Sequence, residues 1–270
     1  MTNEIEHYLN LAMSSPFPYK SFSNEELIKD YKKLLHTRKV NSIAGLNIIE
    51  NYHKSIWHCN RYGYKSPIEA WQDPNIMSYV IQNRLKYMAT KELSALAIRT
   101  GLYVSGRAPK VSIFKPALAK YLINKYLQKY DTIFDPCCGF SGRLLGTATL
   151  NKKYIGYDIN SITVRESNQL INALNIGNSE VLLKNSLYEM GTFDCLFTCP
   201  PYGNKEHWHQ DIEELSADEW IDTCLKNYKC EKYLFVIDKT EKYKDYIVET
   251  LENKSHFGCN TEQVIFISSK

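Results

Sequence analysis

Residues 132–143, TIFDPCCGFSGR, give the clearest indication of the fold. The first three residues are β-branched or aromatic, which is typical of a buried strand. A glycine-bearing turn follows, and a helix is predicted from Gly142. A strand that runs through such a turn into a helix lets the backbone approach a ligand closely at the helix N-terminus. Because the glycine patterns of dinucleotide-binding and P-loop proteins are absent, the sequence predicts a ligand other than a pyrophosphate.

Short apolar segments alternate with helical segments around this stretch. Strands are predicted at 132–134, 154–157, 181–183, 195–197, 233–237 and 264–267, and helices at 116–130, 142–150, 161–174, 217–227 and 243–252. Such alternation predicts an α/β fold with a doubly wound, mostly parallel sheet. Ligands bind at the carboxyl ends of the strands in these sheets, so the segments after each strand are the candidates for chemistry.

The first part of the chain lacks this alternation and is predicted to be mostly helical. Ser23 and Glu26 form a capping-box pattern, and Pro67 and Pro74 stand at predicted helix starts. We therefore predict two domains, a basic helical segment over residues 1–108 and an α/β domain over residues 109–270. No apolar run approaches the length of a membrane span, and the polar N-terminus predicts neither a secretory signal nor a transit peptide, which favours a cytoplasmic protein.

Charge is unevenly distributed along the chain. Residues 1–130 contain 19 Lys/Arg and 9 Asp/Glu, a net charge of +10, whereas residues 131–270 contain 14 and 21, a net charge of −7. The asymmetry favours a nucleic-acid-facing first half, with a lysine-rich solvated surface as the alternative. Aromatic residues stand between the charges, where they suit either base stacking or a core: Trp57, His58, Tyr62, Tyr64 and Trp71.

Polar or unusual residues follow each predicted strand. Asp158 follows the second strand and is placed to accept hydrogen bonds from both hydroxyls of a ribose. Asn185 and Ser186 follow the third strand and could bind the edge of an adenine. Cys199-Pro-Pro-Tyr202 follows the fourth, and its two prolines predict a rigid, extended turn with an unpaired carbonyl.

In this order, Asp135-Pro-x-x-Gly139-x-x-Gly142, Asp158 and Cys199-Pro-Pro-Tyr202 resemble the S-adenosylmethionine-dependent amino-methyltransferases of nucleic acids. The stretch 113–116 resembles a further cofactor motif, and the resemblance covers about residues 113–268. It implies a Rossmann-like methyltransferase fold and direct in-line transfer to an exocyclic amine of a flipped-out DNA base, adenine before cytosine. It implies a catalytic group of Cys199, Pro200, Pro201 and Tyr202, and a cofactor group of Phe114, Lys115, Asp135, Pro136, Cys137, Gly139, Gly142, Asp158, Asn185 and Ser186.

The chain departs from the family pattern at two positions. Cys199 stands where the family has Asp, Asn or Ser, and thiol sulfur is a weak hydrogen-bond acceptor. Ser141 stands where a second glycine is typical, and we expect it to suit a helix N-terminus. The alternatives are a methyltransferase-like subunit with weak or partner-dependent activity and an RNA methyltransferase.

Other residues are expected to be structural or stay unassigned. His207 and His209 have no matched partner for a metal, so none is predicted, although Trp208 could line the base pocket. Arg143 could pair with a neighbouring acid or contact a phosphate. A bacterial or phage-like setting is expected, with restriction–modification, phage and regulatory roles left open together with oligomeric state.

Overall fold

The computed structural model describes residues 2–87, 92–177, 179–201, 206–207, 214–255 and 258–269. The helices are α1 (Thr2–Ser14), α2 (Asn24–His36), α3 (Leu46–Tyr52), α4 (Pro67–Trp71), α5 (Pro74–Tyr87), α6 (Ala95–Val104), α7 (Pro116–Tyr126), α8 (Gly142–Ala148), α9 (Ser161–Ala173) and α10 (Ala217–Asn227). Short 3-10 helices cover Lys54–His58 and Lys244–Tyr246. The strands are β1 (Asn60–Arg61), β2 (Thr132–Asp135), β3 (Lys153–Asp158), β4 (Glu180–Leu183), β5 (Gly191–Thr192), β6 (Cys195–Thr198), β7 (Glu206–His207), β8 (Tyr228–Lys229), β9 (Lys232–Ile237), β10 (Ile247–Ser255) and β11 (Gly258–Ser268).

Seven strands form the main sheet in the order β10-β11-β9-β6-β2-β3-β4. All neighbours are parallel except at β11, which runs antiparallel to both β9 and β10. This confirms the predicted α/β class, a doubly wound and mostly parallel sheet preceded by helices. The strand order reverses at β2, which lies between β3 and β6. Sheets of this kind bind their ligands at such a reversal.

Both faces of the central strands are covered. Ile133 and Phe134 are adjacent in β2, point to opposite faces and are both fully buried. Phe134 belongs to a cluster with Ile221 of α10. On the other face, the ring of Phe197 in β6 lies 5.8 Å from the ring of Phe114. Strands buried on both faces read as continuous apolar runs, which is why the sequence shows runs and not alternation.

The chain divides into two compact units. Unit 1 comprises residues 1–22, 54–112 and 204–210, and unit 2 comprises residues 23–53, 113–203 and 211–270. Unit 1 is mostly helical, with a core that includes Trp71, Met77, Val80 and Leu102.

The segment 23–53 belongs to unit 2, and so the contiguous division predicted at residue 108 does not describe it. Lys120 Nζ of α7 donates to the Leu34 carbonyl at the end of α2, over 3.0 Å. A Cβ added to Gly45 would lie 3.1 Å from Pro116. These contacts join α2 and α3 to the α/β unit, over a sequence separation that composition does not reveal.

One predicted element is wrong. The helix expected at 243–252 is a short 3-10 turn followed by the strand β10. The strand pairs with β11 over eight registered residue pairs, and the pairing outweighs a weak helical pattern. Among the described residues, no helix combines the length and apolar character needed to cross a bilayer.

Candidate active site

The segments that follow β2, β3 and β4 meet at one edge of the sheet. The backbone N–H of Gly139 donates to Asp158 Oδ2 over 3.1 Å. Cys137 Sγ lies 3.7 Å from Ser186 Oγ. Because parallel strands end at the same edge, residues far apart in the sequence converge here. The structure therefore places four residues of the predicted cofactor group at one edge of the sheet, Cys137, Gly139, Asp158 and Ser186.

Asp135 ends β2 with its carboxylate fully buried. Oδ2 accepts hydrogen bonds from Arg143 Nε and from Tyr154 Oη, each over 2.6 Å. Oδ1 accepts from Thr198 Oγ1 over 2.8 Å and from the Cys137 N–H over 3.1 Å. A carboxylate has about four acceptor positions, and these donors use them. Asp135 therefore ties β2, β3, β6 and α8 together beneath the glycine loop, residues 137–142.

Arg143 resolves an ambiguity that the sequence left open, because its guanidinium pairs with the Asp135 carboxylate. Nη2 also donates to the Cys137 carbonyl, and Cζ lies 5.0 Å from the Phe114 ring. Burial would lower the pKa of Arg143, but the surrounding charges, Asp135 first, outweigh it and raise the pKa. Pro136 is buried beside this pair. The positive charge is thus compensated inside the protein and holds the loop in shape.

Gly142 allows the start of α8 to lie against the segment 113–115. A Cβ at Gly142 would be 1.9 Å from the Phe114 carbonyl oxygen, so no side chain fits without a backbone shift. Lys115 follows directly and is the N-cap residue of α7, with Pro116 in the first turn. The close approach explains why Phe114 and Lys115 lie beside the glycine loop although they precede it by more than 20 residues.

Gly139 borders open space at the sheet edge, and the largely buried Asp158 lies beside it. Gly139 has a φ of +53°, and an added Cβ would meet no atom within 4 Å. The Asp158 carboxylate accepts from the backbone N–H groups of Gly139 and Asn160, over 3.1 and 2.9 Å, and weakly from Cys138 Sγ. It keeps acceptor capacity for a ligand. Burial raises the pKa of Asp158 above its ordinary value.

Asn185 and Ser186 form the turn after β4. Asn185 Oδ1 accepts from the Leu187 N–H over 3.0 Å, and the Ser186 carbonyl accepts from Tyr228 Oη over 2.9 Å. These bonds fix the turn against β8. Burial raises the pKa of the neighbouring Cys137 thiol, which keeps it neutral. The turn after β4 is therefore held by hydrogen bonds and has a neutral thiol beside it.

The predicted catalytic loop leaves β6 at the same edge. Cys199 is half-buried, Pro200 is buried and Pro201 is half-buried. In the described part of the chain all peptide bonds are trans, and the Pro200 carbonyl accepts no hydrogen bond. The carbonyl expected to be unpaired thus has no donor among the described residues, and the extended turn stays a prediction. The predicted base-stacking Tyr202 and the candidate Trp208 lie outside the described residues.

A buried polar cluster that the sequence did not indicate lies under the glycine loop. His53 Nε2 is 2.8 Å from Ser141 Oγ, which donates to Ser167 Oγ over 2.9 Å. His53 Nδ1 is 3.4 Å from Glu166 Oε2. All four side chains are buried. His53, at the end of α3, thus contacts the loop directly at Ser141, and side chains of α9 complete the cluster.

Ser141 has a left-handed backbone, with a φ of 60°. Ser141 is the N-cap residue of α8, as expected for a serine at a helix N-terminus, but its side chain makes no capping hydrogen bond to that helix. The hydroxyl instead satisfies His53, which stands 88 positions earlier in the chain. No local spacing links two residues that far apart, which is why this cluster could not be read from the sequence.

Comparisons with known proteins reach the level of the fold. No family model and no curated protein matches the chain. Among solved structures, a magnesium protoporphyrin IX methyltransferase from Synechocystis PCC 6803 with bound S-adenosylmethionine has 12% identity and a TM-score of 0.43, over 70% of this chain and 91% of that chain. A 16S rRNA methyltransferase from T. thermophilus in complex with AdoMet and guanosine has 16% identity and a TM-score of 0.41, over 60% and 44%. An rRNA methylase from Streptococcus thermophilus has 16% identity and a TM-score of 0.37, over 59% and 100%.

Proposed function

We propose that unit 2 binds S-adenosylmethionine and transfers its methyl group to an exocyclic amine of a DNA base, with adenine favoured over cytosine as the target. One observation carries the proposal. At the reversal of strand order, the glycine loop leaves open space above Gly139, next to an Asp158 carboxylate with acceptor capacity to spare. This is a place where a nucleoside can lie against backbone while its hydroxyls donate to an acid.

The residues at this edge fit the cofactor in different ways. Asp158 would accept hydrogen bonds from the ribose hydroxyls, and Asn185 and Ser186 would face the adenine. Asp135 pairs with Arg143, and Gly142 lies against the Phe114 backbone. Both residues would therefore shape the loop and not bind the cofactor themselves. The bound cofactor would supply a methyl group on a positively charged sulfur.

The residues after β6 would prepare the acceptor amine. The lone pair of an exocyclic amine is delocalised into the base, so the nitrogen becomes a nucleophile only when its N–H groups are held by acceptors. The open carbonyl of Pro200 supplies one acceptor, and Cys199 supplies a weak one. Because the prolines fix the chain direction, positioning contributes much of the rate. Following the resemblance, Tyr202 would stack on the base.

Charge supports a nucleic-acid substrate, with unit 1 as its recognition unit. Unit 1 has 11 Lys/Arg and 6 Asp/Glu, a net charge of +5, while unit 2 has 22 and 24, a net charge of −2. The excess that the sequence showed over residues 1–130 is thus shared between the units. Its unit 1 part suits phosphate contacts, which would make binding salt-dependent.

The test is methylation of DNA with labelled S-adenosylmethionine, followed by digestion to nucleosides. We expect labelled methyladenine from the wild-type protein. If only methylcytosine is labelled, the target base is cytosine. If no DNA yields a labelled base, the proposal is wrong. A parallel reaction with RNA identifies an RNA methyltransferase directly.

Cys199 favours a second candidate, a cofactor-binding subunit whose activity is weak without a partner. A matched series at this position separates the two. If Cys199 limits activity, Cys199→Ser and Cys199→Asp should raise the rate by about tenfold or more, and Cys199→Ala should not. Equal rates in all four proteins would show that the Pro200 carbonyl suffices.

A further inference from the structure

Unit 1 contains an open groove of about 480 Å³ that the proposed catalysis does not use. We call it the tyrosine groove, and its lining includes Tyr64, Lys65, Ile76, Tyr79 and Arg107. Its volume is in the range of small-molecule sites, about 300–1,000 Å³. The groove is therefore large enough to receive a planar aromatic group.

The groove presents aromatic surface to solvent. Tyr64 and Tyr79 are 48% and 40% exposed, although large aromatic side chains are usually well buried. By contrast, Trp57 and Trp71, which the sequence grouped with Tyr64, are in the core, at 2% and 3%. The structure thus separates the aromatic residues of this region into a core set and a groove set.

Cations accompany the exposed rings. The guanidinium of Arg107 lies 4.0 Å from the centre of the Tyr79 ring. Within the described part of the chain, Arg107 makes no ion pair. Lys65 pairs with Asp73 over 2.7 Å and stays half exposed. Arg107 therefore presents an uncompensated charge and a flat stacking surface at the same place.

Two glycines at tight turns leave part of the groove's edge without side chains. Gly63 and Gly106 have φ values of +79° and +72°, which favour glycine. An added Cβ at Gly63 would meet nothing within 4 Å. A chain that lies along the groove would consequently reach Tyr64 and Arg107 without passing over side chains at Gly63 or Gly106.

We propose that the tyrosine groove binds an unpaired stretch of DNA, with a base stacked on Tyr64 or on the Arg107–Tyr79 pair and a phosphate beside Arg107. Stacking platforms beside cations are how proteins bind single strands. An acidic partner protein would use the charge but not the exposed rings, and a lipid surface would need a wider apolar face. The choice of DNA rests on the proposed function.

The test is fluorescence anisotropy of a labelled single-stranded DNA of about 12 nucleotides, which is within the usual site size, with the full-length chain at fixed salt. We expect Tyr79→Ala and Arg107→Gln each to weaken binding by about tenfold, the lower part of the range for a lost stacking contact.

The same helix offers a matched control. Lys86 Nζ lies 5.1 Å from the centre of the Tyr87 ring, and Tyr87 is 71% exposed but does not line the groove. We expect Tyr87→Ala and Lys86→Gln to change binding by less than about twofold. Equal losses in both pairs would show that exposed side chains contribute to binding wherever they lie, and would overturn the groove as the binding site.

Further experiments distinguish a failure of the groove proposal from a failure of the proposed function. A duplex, or an RNA of the same sequence, that binds more tightly than the single-stranded DNA overturns the assigned occupant. Groove variants that bind single-stranded DNA like the wild type also overturn it. Binding of S-adenosylmethionine, followed by calorimetry, should be unchanged in the groove variants. A wild-type protein that binds the single strand through the groove but methylates no base leaves the groove standing and removes the proposed function.

Discussion

Two neighbouring strands of unit 2 each end in an aspartate, and the structure gives the two carboxylates opposite environments. Asp135 ends β2, is fully buried and receives hydrogen bonds from three side chains. Asp158 ends β3, and its nitrogen donors are two backbone N–H groups at the rim of open space. In the sequence both follow a short apolar strand and look equivalent.

The comparison separates a residue that builds the site from one that is available to a ligand. A carboxylate at a strand end is used inside the protein when a cationic side chain of the following helix pairs with it, as Arg143 pairs with Asp135. A carboxylate keeps acceptor capacity for a ligand when its nitrogen donors are backbone N–H groups only, as at Asp158. The carboxyl end of a strand therefore marks a position where a ligand can bind, and the neighbouring elements decide whether the acid is free to bind it.

Asp135→Asn should give the largest effect. It leaves the buried guanidinium of Arg143 without its counter-charge, and breaking a buried pair costs about 3–5 kcal/mol. Urea denaturation followed by tryptophan fluorescence measures the loss, with Asp158→Asn as the control expected to stay within about 1 kcal/mol. A small loss for Asp135→Asn with complete loss of S-adenosylmethionine binding would reverse the two roles.

His53→Phe tests whether the buried contact between His53 and Ser141 affects the binding of S-adenosylmethionine. The change removes one of the two hydrogen-bond partners of the Ser141 hydroxyl and the imidazole beside Glu166, so we expect a loss of about 1–3 kcal/mol. We also expect weaker binding of S-adenosylmethionine in calorimetry, with His53→Gln restoring part of it.

Leu34→Ala is the matched control for His53→Phe. Leu34 is fully buried in the same N-terminal part of unit 2, and its truncation should cost about 2–5 kcal/mol. It should leave the affinity for S-adenosylmethionine unchanged at temperatures where the protein stays folded. If both variants lose affinity in proportion to stability, the His53 cluster is only part of the core.

Asp158→Asn should lower the affinity for S-adenosylmethionine by about tenfold, because hydrogen bonds to a charged acceptor are worth about 1.5–3 kcal/mol. Titration calorimetry of both proteins at neutral pH measures the ratio. An unchanged affinity would mean that Asp158 supports the loop through Gly139 only.

The pH dependence of this binding should be the smallest effect. Burial raises the pKa of Asp158, so its carboxylate is lost at a higher pH than that of an ordinary aspartate. Affinity should therefore rise with pH through this raised pKa and then level off, a change of about fivefold. The stability of the ligand-free protein should change in the opposite sense, since the charged form is less favoured in the folded state. Asp158→Asn should remove this part of both dependences.

Much of the fold followed from local patterns. Apolar runs located six strands of the main sheet, and the turns after them located Gly139, Asp158 and Cys199 at the correct edge. The strand β10 was missed because a short, mixed segment takes its structure from its partner β11. Arg143 could not be assigned, because its partner depends on which strand end the helix returns to.

Local sequence patterns were enough to predict the alternation of strands and helices and the glycine loop, since these depend on residues that are close in the chain. Local patterns could not show which aspartate is internal, that His53 contacts Ser141, or that Tyr64 is exposed while Trp57 is buried. Hydrogen-bond partners and burial depend on contacts between segments that are distant in the chain. The charge pattern shows the same limit, because the basic first half of the chain is shared between two compact units.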